Sequence, residues 1–264
     1  VGIPSYYPLR PAPLPSRVRA VLMDLDGTSV RSESFWVYII ERVTARLLAD
    51  DGFRFQEADL PHVSGFSVTE HLEYCLRTYC PAATLDQARW WYFELTEQEM
   101  DAIRQGHGRR DAFTPAPGLR DFLLNLKARG VKIGLVTSGL HQKAWPEIVS
   151  AFAAMGLGDP LAFYDSIVTA GYAVKSGQAG TLGEQQAKPH PWLYAEVLLP
   201  LGVPRDEVVG IEDSSAGVVS IRLAGVAALG VEEGTIRTGG TAPLCAAIRP
   251  GLPEIWRDLL AERC

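Results

Sequence analysis

The sequence predicts an α/β protein, in which a doubly wound parallel sheet carries an inserted α-helical domain. From Pro117 onward, short apolar runs alternate with segments of helical pattern. Near-continuous apolar strands between helices are typical of a parallel sheet covered on both faces. Residues 34–112 show helical patterns without such strands, so they interrupt the series after its first strand. We therefore expect a core from 17–33 and 113–264, a helical insert at 34–112 and an irregular arm at 1–16.

The first strand is the apolar run at 18–23, and two carboxylates follow it. Asp24 and Asp26 are separated by one residue, and Gly27 comes next. A continuous strand would project both side chains to one side, whereas a turn at the glycine can separate their directions. Carboxylates placed in this way are costly to bury unless a metal or a partner compensates them. The pair is therefore expected to share a cation.

Three helices are expected in the insert. Ser34 can cap the first, the second runs from Thr69 to Tyr79, and Thr84 with Gln87 forms a capping box before the third. We interpret the insert's aromatic residues as its own small core rather than a stacking platform; those of the third helix are Trp90, Trp91 and Phe93.

The elements after the insert alternate between helix and strand. Glycines or changes of pattern mark their ends. In chain order, we predict helices at 117–130, 142–155, 191–199 and 215–224, and strands at 131–136, 166–168, 208–211 and 226–229, the last strand of the sheet.

Polar groups recur where these strands end. The pair at Asp24 and Asp26 is followed by Thr137-Ser138-Gly139, by Lys188 and by Glu212-Asp213. Taken singly, each has an ordinary interpretation as a turn, a loop, a solvated lysine or a helix cap. Because ligands of an open parallel sheet bind beyond the carboxyl ends of its strands, the four together predict one site.

Composition limits the classes of function. The formal net charge of −6 argues against broad binding to nucleic acid or anionic membranes. No apolar run approaches the ~18 residues that a membrane-spanning helix needs. The arm at 1–16 has no apolar signal core, so a reducing cytoplasm is the expected location. The cysteines match no zinc module and are expected to be buried or free thiols; they are Cys75, Cys80, Cys245 and Cys264.

The order of these motifs resembles that of the haloacid dehalogenase-like (HAD) hydrolase superfamily, in its branch of capped phosphatases and β-phosphoglucomutase-like proteins. The resemblance covers residues 17–229 approximately and implies a Rossmann-like core with the insert as cap. The matching segments are DLDGT at 24–28, LVTSG at 135–139, KPHPWLY at 188–194 and GIEDSSAGV at 210–218.

The resemblance implies a role for each residue. Asp24 would attack phosphorus and form an aspartyl-phosphate, while Asp26 would protonate the leaving oxygen and then activate water. Thr137, with Ser138 and Gly139, would bind the phosphoryl group, and Lys188 would neutralise charge. A Mg²⁺ ion is implied as cofactor, since oxygen ligands suit this cation. Its ligands would be Asp24, the backbone carbonyl of Asp26, Asp213 and Glu212, the last directly or through water.

Departures from the family pattern argue against some of the reactions that members of this superfamily catalyse. Asp26 argues against dehalogenases, which lack an acid there. The first lysine of the chain is Lys127, so the cap lacks the Schiff-base lysine of phosphonatases. The segment 34–37 lacks the histidine of phosphomutases, although His62 or His71 could serve instead; we interpret both as solvated or packed.

Three further segments bear on the substrate. Arg31 could attract an anion or pair with Glu33. Residues 64–67, with an apolar Phe66, occupy the position of a specificity loop. The glycine-rich stretch at 171–187 has two open interpretations, a mobile flap and plain disorder.

The sequence therefore predicts a Mg²⁺-dependent phosphatase acting on a small phosphorylated metabolite, of which a sugar phosphate is one candidate. The alternatives are a phosphomutase and a catalytically silent binding protein. The chain is expected to act as a monomer or a homodimer.

Overall fold

The computed structural model describes residues 12–63, 68–105, 107–109, 112–170, 172–173 and 187–264. The chain divides into two compact units. One comprises Val1–Val30 and Pro115–Cys264, and the other comprises Arg31–Thr114. Residues 12–19 belong to no helix or strand, and the rest of the predicted arm lies outside the described residues.

The strands and helices of the described residues are numbered in chain order. The strands are β1 (Ala20–Asp24), β2 (Val30–Arg31), β3 (Thr114–Pro115), β4 (Lys132–Leu140), β5 (Ser166–Ala170), β6 (Tyr172–Ala173), β7 (Val208–Glu212), β8 (Ala227–Val231) and β9 (Cys245–Arg249). The α-helices are α1 (Glu33–Leu48), α2 (Val68–Thr78), α3 (Leu85–Arg104), α4 (Leu119–Ala128), α5 (His141–Met155), α6 (Pro160–Phe163), α7 (Trp192–Leu201), α8 (Ser215–Leu223) and α9 (Leu252–Ile255).

The main sheet has the order β6-β5-β4-β1-β7-β8-β9, and its strands are parallel except for β6 at one edge. The predicted α/β class is confirmed. In β1, Asp24 lies beside Val136 of β4, and Met23 lies beside Ile211 of β7. The strand order reverses around β1, which makes this edge the place where an open α/β sheet binds its ligands.

The sheet extends beyond the strand predicted to be its last. β9 pairs with β8 in parallel, and β6 pairs with β5 in antiparallel orientation. The prediction that the strand near 226–229 ends the sheet was therefore wrong. Each residue of β9 is only half-buried, as in an edge strand, although four of its five residues are apolar.

A buried apolar layer fixes β1 in place. Leu22 of β1 and Val136 of β4 pack with Val197 of α7 and with Val218 and Ile221 of α8. All five side chains are fully buried. Because these residues immediately precede or face the polar strand ends, the same packing holds the functional edge in a fixed register.

The second unit is helical, as α1, α2 and α3 contact one another. Thr84 forms the predicted capping box with Gln87 at the start of α3. The cap predicted for α1 at Ser34 was two residues late, because α1 begins at Glu33 and its N-cap is Ser32. Ser34 lies inside the first turn.

The aromatic residues of α3 are divided between two faces. Trp90 is 58% exposed and Phe93 is 49% exposed, so these two do not form the predicted core. Tyr92 and Leu95 are buried instead, in keeping with the helical period. Elsewhere in this unit, Phe35 packs against the ring of Phe113 at a centroid distance of 4.9 Å.

No helix in the part of the chain that the structure describes is long and apolar enough to cross a membrane.

Candidate active site

The chain bends between the two carboxylates of the first motif and then makes a tight turn after them, at residues 27–29. Asp24 is the last residue of β1 and is buried, and its backbone carbonyl accepts a 2.5 Å hydrogen bond from the hydroxyl of Ser29. Gly27 adopts a φ of 82°, a conformation that favours glycine, and its N–H donates to the carbonyl of Val30 at 2.8 Å. The tight turn thus begins directly after Asp26, which lies beyond β1 and is half-buried.

Thr137 connects the end of β4 to Asp26. Its hydroxyl donates to Oδ2 of Asp26 at 3.4 Å and accepts the N–H of Gly139 at 2.9 Å. The neighbouring Ser138 accepts a hydrogen bond of 3.1 Å from the backbone N–H of Lys188. The end of β4 therefore contacts both the first and the third motif.

Lys188 lies between two buried carboxylates. Its ammonium contacts Asp24 and lies 2.5 Å from Oε1 of Glu212, and its side chain is almost fully buried. Burial by itself lowers the pKa of Lys188, but the charges of Asp24 and Glu212 outweigh that effect and raise the pKa above its ordinary value. Lys188 therefore stays charged, and the site always contains one fixed positive group.

Burial has the opposite effect on the nucleophile candidate. It raises the pKa of Asp24 well above the ordinary value, and the negative charge of Glu212 raises it further, while Lys188 lowers it. A cation beside Asp24 would favour its ionised form. The arrangement therefore benefits from positive charge beyond that of Lys188.

Glu212 is held at the end of β7 by hydrogen bonds to both of its oxygens. Oε1 accepts from Lys188 and from the hydroxyl of Tyr194, the latter at 3.1 Å. Oε2 accepts from the N–H of Asp213 at 3.1 Å and from the N–H and hydroxyl of Ser214, both at 2.9 Å. Ser214 is also the N-cap of α8, so the helix-cap interpretation of this motif is confirmed.

Tyr194 is a residue of this site that sequence reasoning did not single out. It is fully buried in α7, and the ammonium of Lys188 lies 5.3 Å from the centre of its ring. Burial, together with the charge of Glu212, raises the pKa of its hydroxyl well above the ordinary value, so the phenol remains a donor. The only signal in the sequence was its place at the end of the segment KPHPWLY.

The acidic residues of the site can hold a metal ion. Asp24, Glu212 and Asp213 each offer an oxygen, and these oxygens lie within 4.8 Å of one another. Thr28 donates a 3.1 Å hydrogen bond to Oδ1 of Asp213. A Cβ atom on Gly27 would lie 2.8 Å from Cγ of Asp213, so the carboxylate occupies a space that only glycine leaves open. Clustered oxygen donors of this kind suit a hard cation such as Mg²⁺.

The family model of haloacid dehalogenase-like hydrolases matches residues 18–225. The chain belongs to this family. The resemblance carried by the four motifs is confirmed, and a search of curated proteins gave no match.

Solved structures of HAD proteins share this fold. CbbY from Rhodobacter sphaeroides, in complex with phosphate, is 19% identical with a TM-score of 0.65, over 93% of this chain and 99% of that one. A Thermotoga maritima protein that carries the provisional name β-phosphoglucomutase is 21% identical with a TM-score of 0.62, over 90% and 96%. A Lactobacillus plantarum protein provisionally named phosphoglycolate phosphatase is 15% identical with a TM-score of 0.62, over 90% and 98%.

The HAD resemblance also pointed to two histidines and two segments outside the strand ends, as possible determinants of reaction or substrate. His62 stacks on Tyr74 at a centroid distance of 4.6 Å, and His71 is buried in α2, which favours packing roles for both. The proposed specificity loop at 64–67 lies outside the described residues. So does the stretch at 171–187, apart from β6 and residue 187.

Proposed function

We propose that this HAD hydrolase is a Mg²⁺-dependent phosphatase that hydrolyses a small phosphorylated metabolite through an aspartyl-phosphate. The contact of the buried Asp24 with Lys188 carries the proposal. A carboxylate at a strand end, kept beside a permanent cation, is suited to approach the phosphoryl group of an anionic substrate. The neighbouring groups then have separate tasks in two chemical steps.

In the first step, an oxygen of Asp24 attacks phosphorus and forms the aspartyl-phosphate bond. The bond from phosphorus to the leaving oxygen breaks, its electron pair stays on that oxygen, and Asp26 supplies the proton. The hydroxyl of Thr137 donates to a phosphoryl oxygen, and Lys188 offsets the charge that gathers on the group. The hydrogen bond between Thr137 and Asp26 supports this assignment, because the hydroxyl proposed to bind phosphate lies beside the proposed acid.

In the second step, Asp26 accepts a proton from water, and the water oxygen attacks phosphorus. The bond to Asp24 breaks, orthophosphate leaves, and the carboxylate is restored. The same residue therefore acts first as an acid and then as a base, which divides one difficult displacement into two easier ones.

The oxygens proposed to hold Mg²⁺ are those of Asp24 and Asp213, with the backbone carbonyl of Asp26, and Glu212 takes part directly or through water. When bound, the ion supplies Lewis-acid stabilisation of charge on the phosphoryl oxygens. Three clustered carboxylates beside a single lysine support this assignment, because the negative charge exceeds the positive charge that Lys188 provides.

The substrate class is proposed as a phosphorylated metabolite, with a sugar phosphate as one candidate. Two of the similar solved structures carry sugar-phosphate or phosphoglycolate names, and CbbY was crystallised with phosphate. We assign selection of the leaving group to the helical unit, Arg31–Thr114, in the role of a cap.

The test is a panel of phosphorylated metabolites incubated with the purified chain, with Mg²⁺ and with EDTA. Both phosphate release and isomer formation are measured for every compound. Phosphate release that requires Mg²⁺ supports the proposal. Isomer formation without net phosphate release would identify a phosphomutase instead, and the absence of both reactions across a broad panel would favour a silent binding protein.

A further inference from the structure

A loop after β8 packs directly against the proposed metal ligand Asp213. This loop, Glu232–Thr241, is called the clamp loop here. Its Gly234 approaches Asp213 so closely that a Cβ atom would lie 2.5 Å from Oδ2 and 2.6 Å from the backbone carbonyl carbon, and would overlap the carbonyl oxygen. Real Cβ contacts are essentially never this short, so any larger residue would displace Asp213 or the loop.

The requirement for glycine at this position is steric. Gly27, which also lies against the Asp213 carboxylate, has a positive φ and would favour glycine for that reason alone. Gly234 is not among the glycines with positive φ, so its backbone is open to any residue. What excludes a side chain at 234 is the position of Asp213.

The clamp loop is itself firmly attached to the start of α8. Thr235 accepts the backbone N–H of Ser215 at 3.0 Å with its hydroxyl and the Ser215 hydroxyl at 2.8 Å with its carbonyl. Thr241 donates to the same Ser215 hydroxyl at 3.0 Å. Ile236 is buried in the main core cluster. The loop is thus bonded two residues from Asp213 and anchored in the core.

We infer that the clamp loop, through Gly234, positions the carboxylate of Asp213 for the metal ion, and that Gly234 is a positioning residue for metal affinity. Gly27 and Gly234 both lie against the carboxylate next to Oδ2, and Thr28 holds Oδ1. A ligand confined in this way loses little freedom when the ion binds. This inference rests on the metal site of the proposed function.

Mn²⁺ binding to the metal-free full chain, followed by electron paramagnetic resonance, tests it without any need for turnover. We expect G234A to weaken Mn²⁺ binding by about tenfold or more, the scale of effects seen when groups that orient a ligand are changed. T238A is the matched control, because it removes the 3.2 Å hydrogen bond from the Thr238 hydroxyl to the carbonyl of Thr235 in the same loop and removes no bond to Ser215 or Asp213.

The outcomes separate the two proposals. If D213N loses Mn²⁺ while G234A keeps the wild-type affinity, the clamp inference is overturned and the metal site stands. Equal losses in G234A and T238A would also overturn it, since general disturbance of the loop would then explain both. Wild-type protein that takes up no Mn²⁺ would overturn the metal site and the inference together.

A second variant covers the case in which G234A does not fold, as judged by circular dichroism. T235V removes the hydroxyl that accepts the Ser215 N–H and introduces no overlap with Asp213. Weaker Mn²⁺ binding by T235V, with turnover recovered at saturating Mg²⁺, supports the positioning role. Unchanged binding by T235V would overturn it.

Discussion

The hydroxyl of Tyr194 lies 3.1 Å from Oε1 of Glu212, the same oxygen that accepts from the ammonium of Lys188. The ring of Tyr194 also faces that ammonium at 5.3 Å. One side chain with no assigned chemistry therefore touches both members of a buried ion pair. Its contribution is to fix where the positive charge lies relative to Asp24.

Replacing Tyr194 with Phe separates these two contacts. Y194F removes the hydrogen bond to Glu212 and keeps the ring beside Lys188. We expect the free energy of unfolding to fall by about 1.5–3 kcal/mol, as for other bonds to a charged group. Urea unfolding of the wild-type protein and of Y194F measures this difference in free energy. Y194L, which also removes the ring, should lose more, and a Y194F protein as stable as wild type would contradict the importance of this bond.

Lys188 should be essential for stability as well as for turnover. K188M keeps the apolar stem but leaves two buried carboxylates without their cation, and we expect a loss of about 3–5 kcal/mol in the free energy of unfolding. K132M is the control, because Lys132 lies on the same sheet and donates at 2.9 Å to the carbonyl of Leu201. K132M should lower the free energy of unfolding by only about 0.5–1.5 kcal/mol. Equal losses in both variants would remove the special role of the buried pair.

D24N should abolish turnover while leaving the fold intact. An amide cannot form the aspartyl-phosphate, and loss of a nucleophile lowers kcat by at least about 10³-fold. Phosphate release and circular dichroism are measured on the same preparation.

D26N is the comparison for D24N, because it keeps the nucleophile and removes the acid–base group. We expect slow turnover in which both steps are impaired. Retained turnover in D24N would refute Asp24 as the nucleophile, and an unchanged rate in D26N would refute the role of Asp26.

The thiol of Cys75 should resist alkylation at neutral pH. This side chain is only 1% exposed, and burial raises its pKa to about 11. Because the thiolate is the reactive form, the iodoacetamide labelling rate should rise steeply as the pH approaches that value. Mass spectrometry of native and urea-unfolded protein measures the extent of labelling. At neutral pH, we expect fast labelling of Cys75 only after unfolding. Rapid labelling of native Cys75 at pH 7.5 would show that the helical unit opens readily.

Much of this architecture could be predicted because its signals are local. Three inner strands are apolar runs that lead into a polar group, at Asp24, Thr137 and Glu212. A parallel sheet brings such ends to one edge, so spacing alone predicted which residues would meet. The capping box of Thr84 and Gln87 was predictable for the same reason, since all of its contacts lie within one turn.

Other features depend on contacts between distant segments and left no local pattern. β9 is a half-buried edge strand whose short apolar run includes two alanines, a residue that is depleted in strands. Tyr194 lies in an apolar helix, where an aromatic residue is expected to be ordinary core. Gly234 is required only because Asp213, far away in the sequence, lies against it. In all three cases, the contact that explains the feature comes from a segment that is distant in the sequence and close only in the folded chain.

The central place of β1 in the sheet has a consequence for how the enzyme is made. Ala20 pairs with Lys132 on one side and with Val208 on the other, so the strand that carries Asp24 is synthesised long before either neighbour. Such non-local pairing slows folding and leaves apolar strands uncovered during synthesis. Activity should therefore emerge late, only after β7 has joined β1, and a nascent chain released before that point would be an aggregation-prone species with no working site.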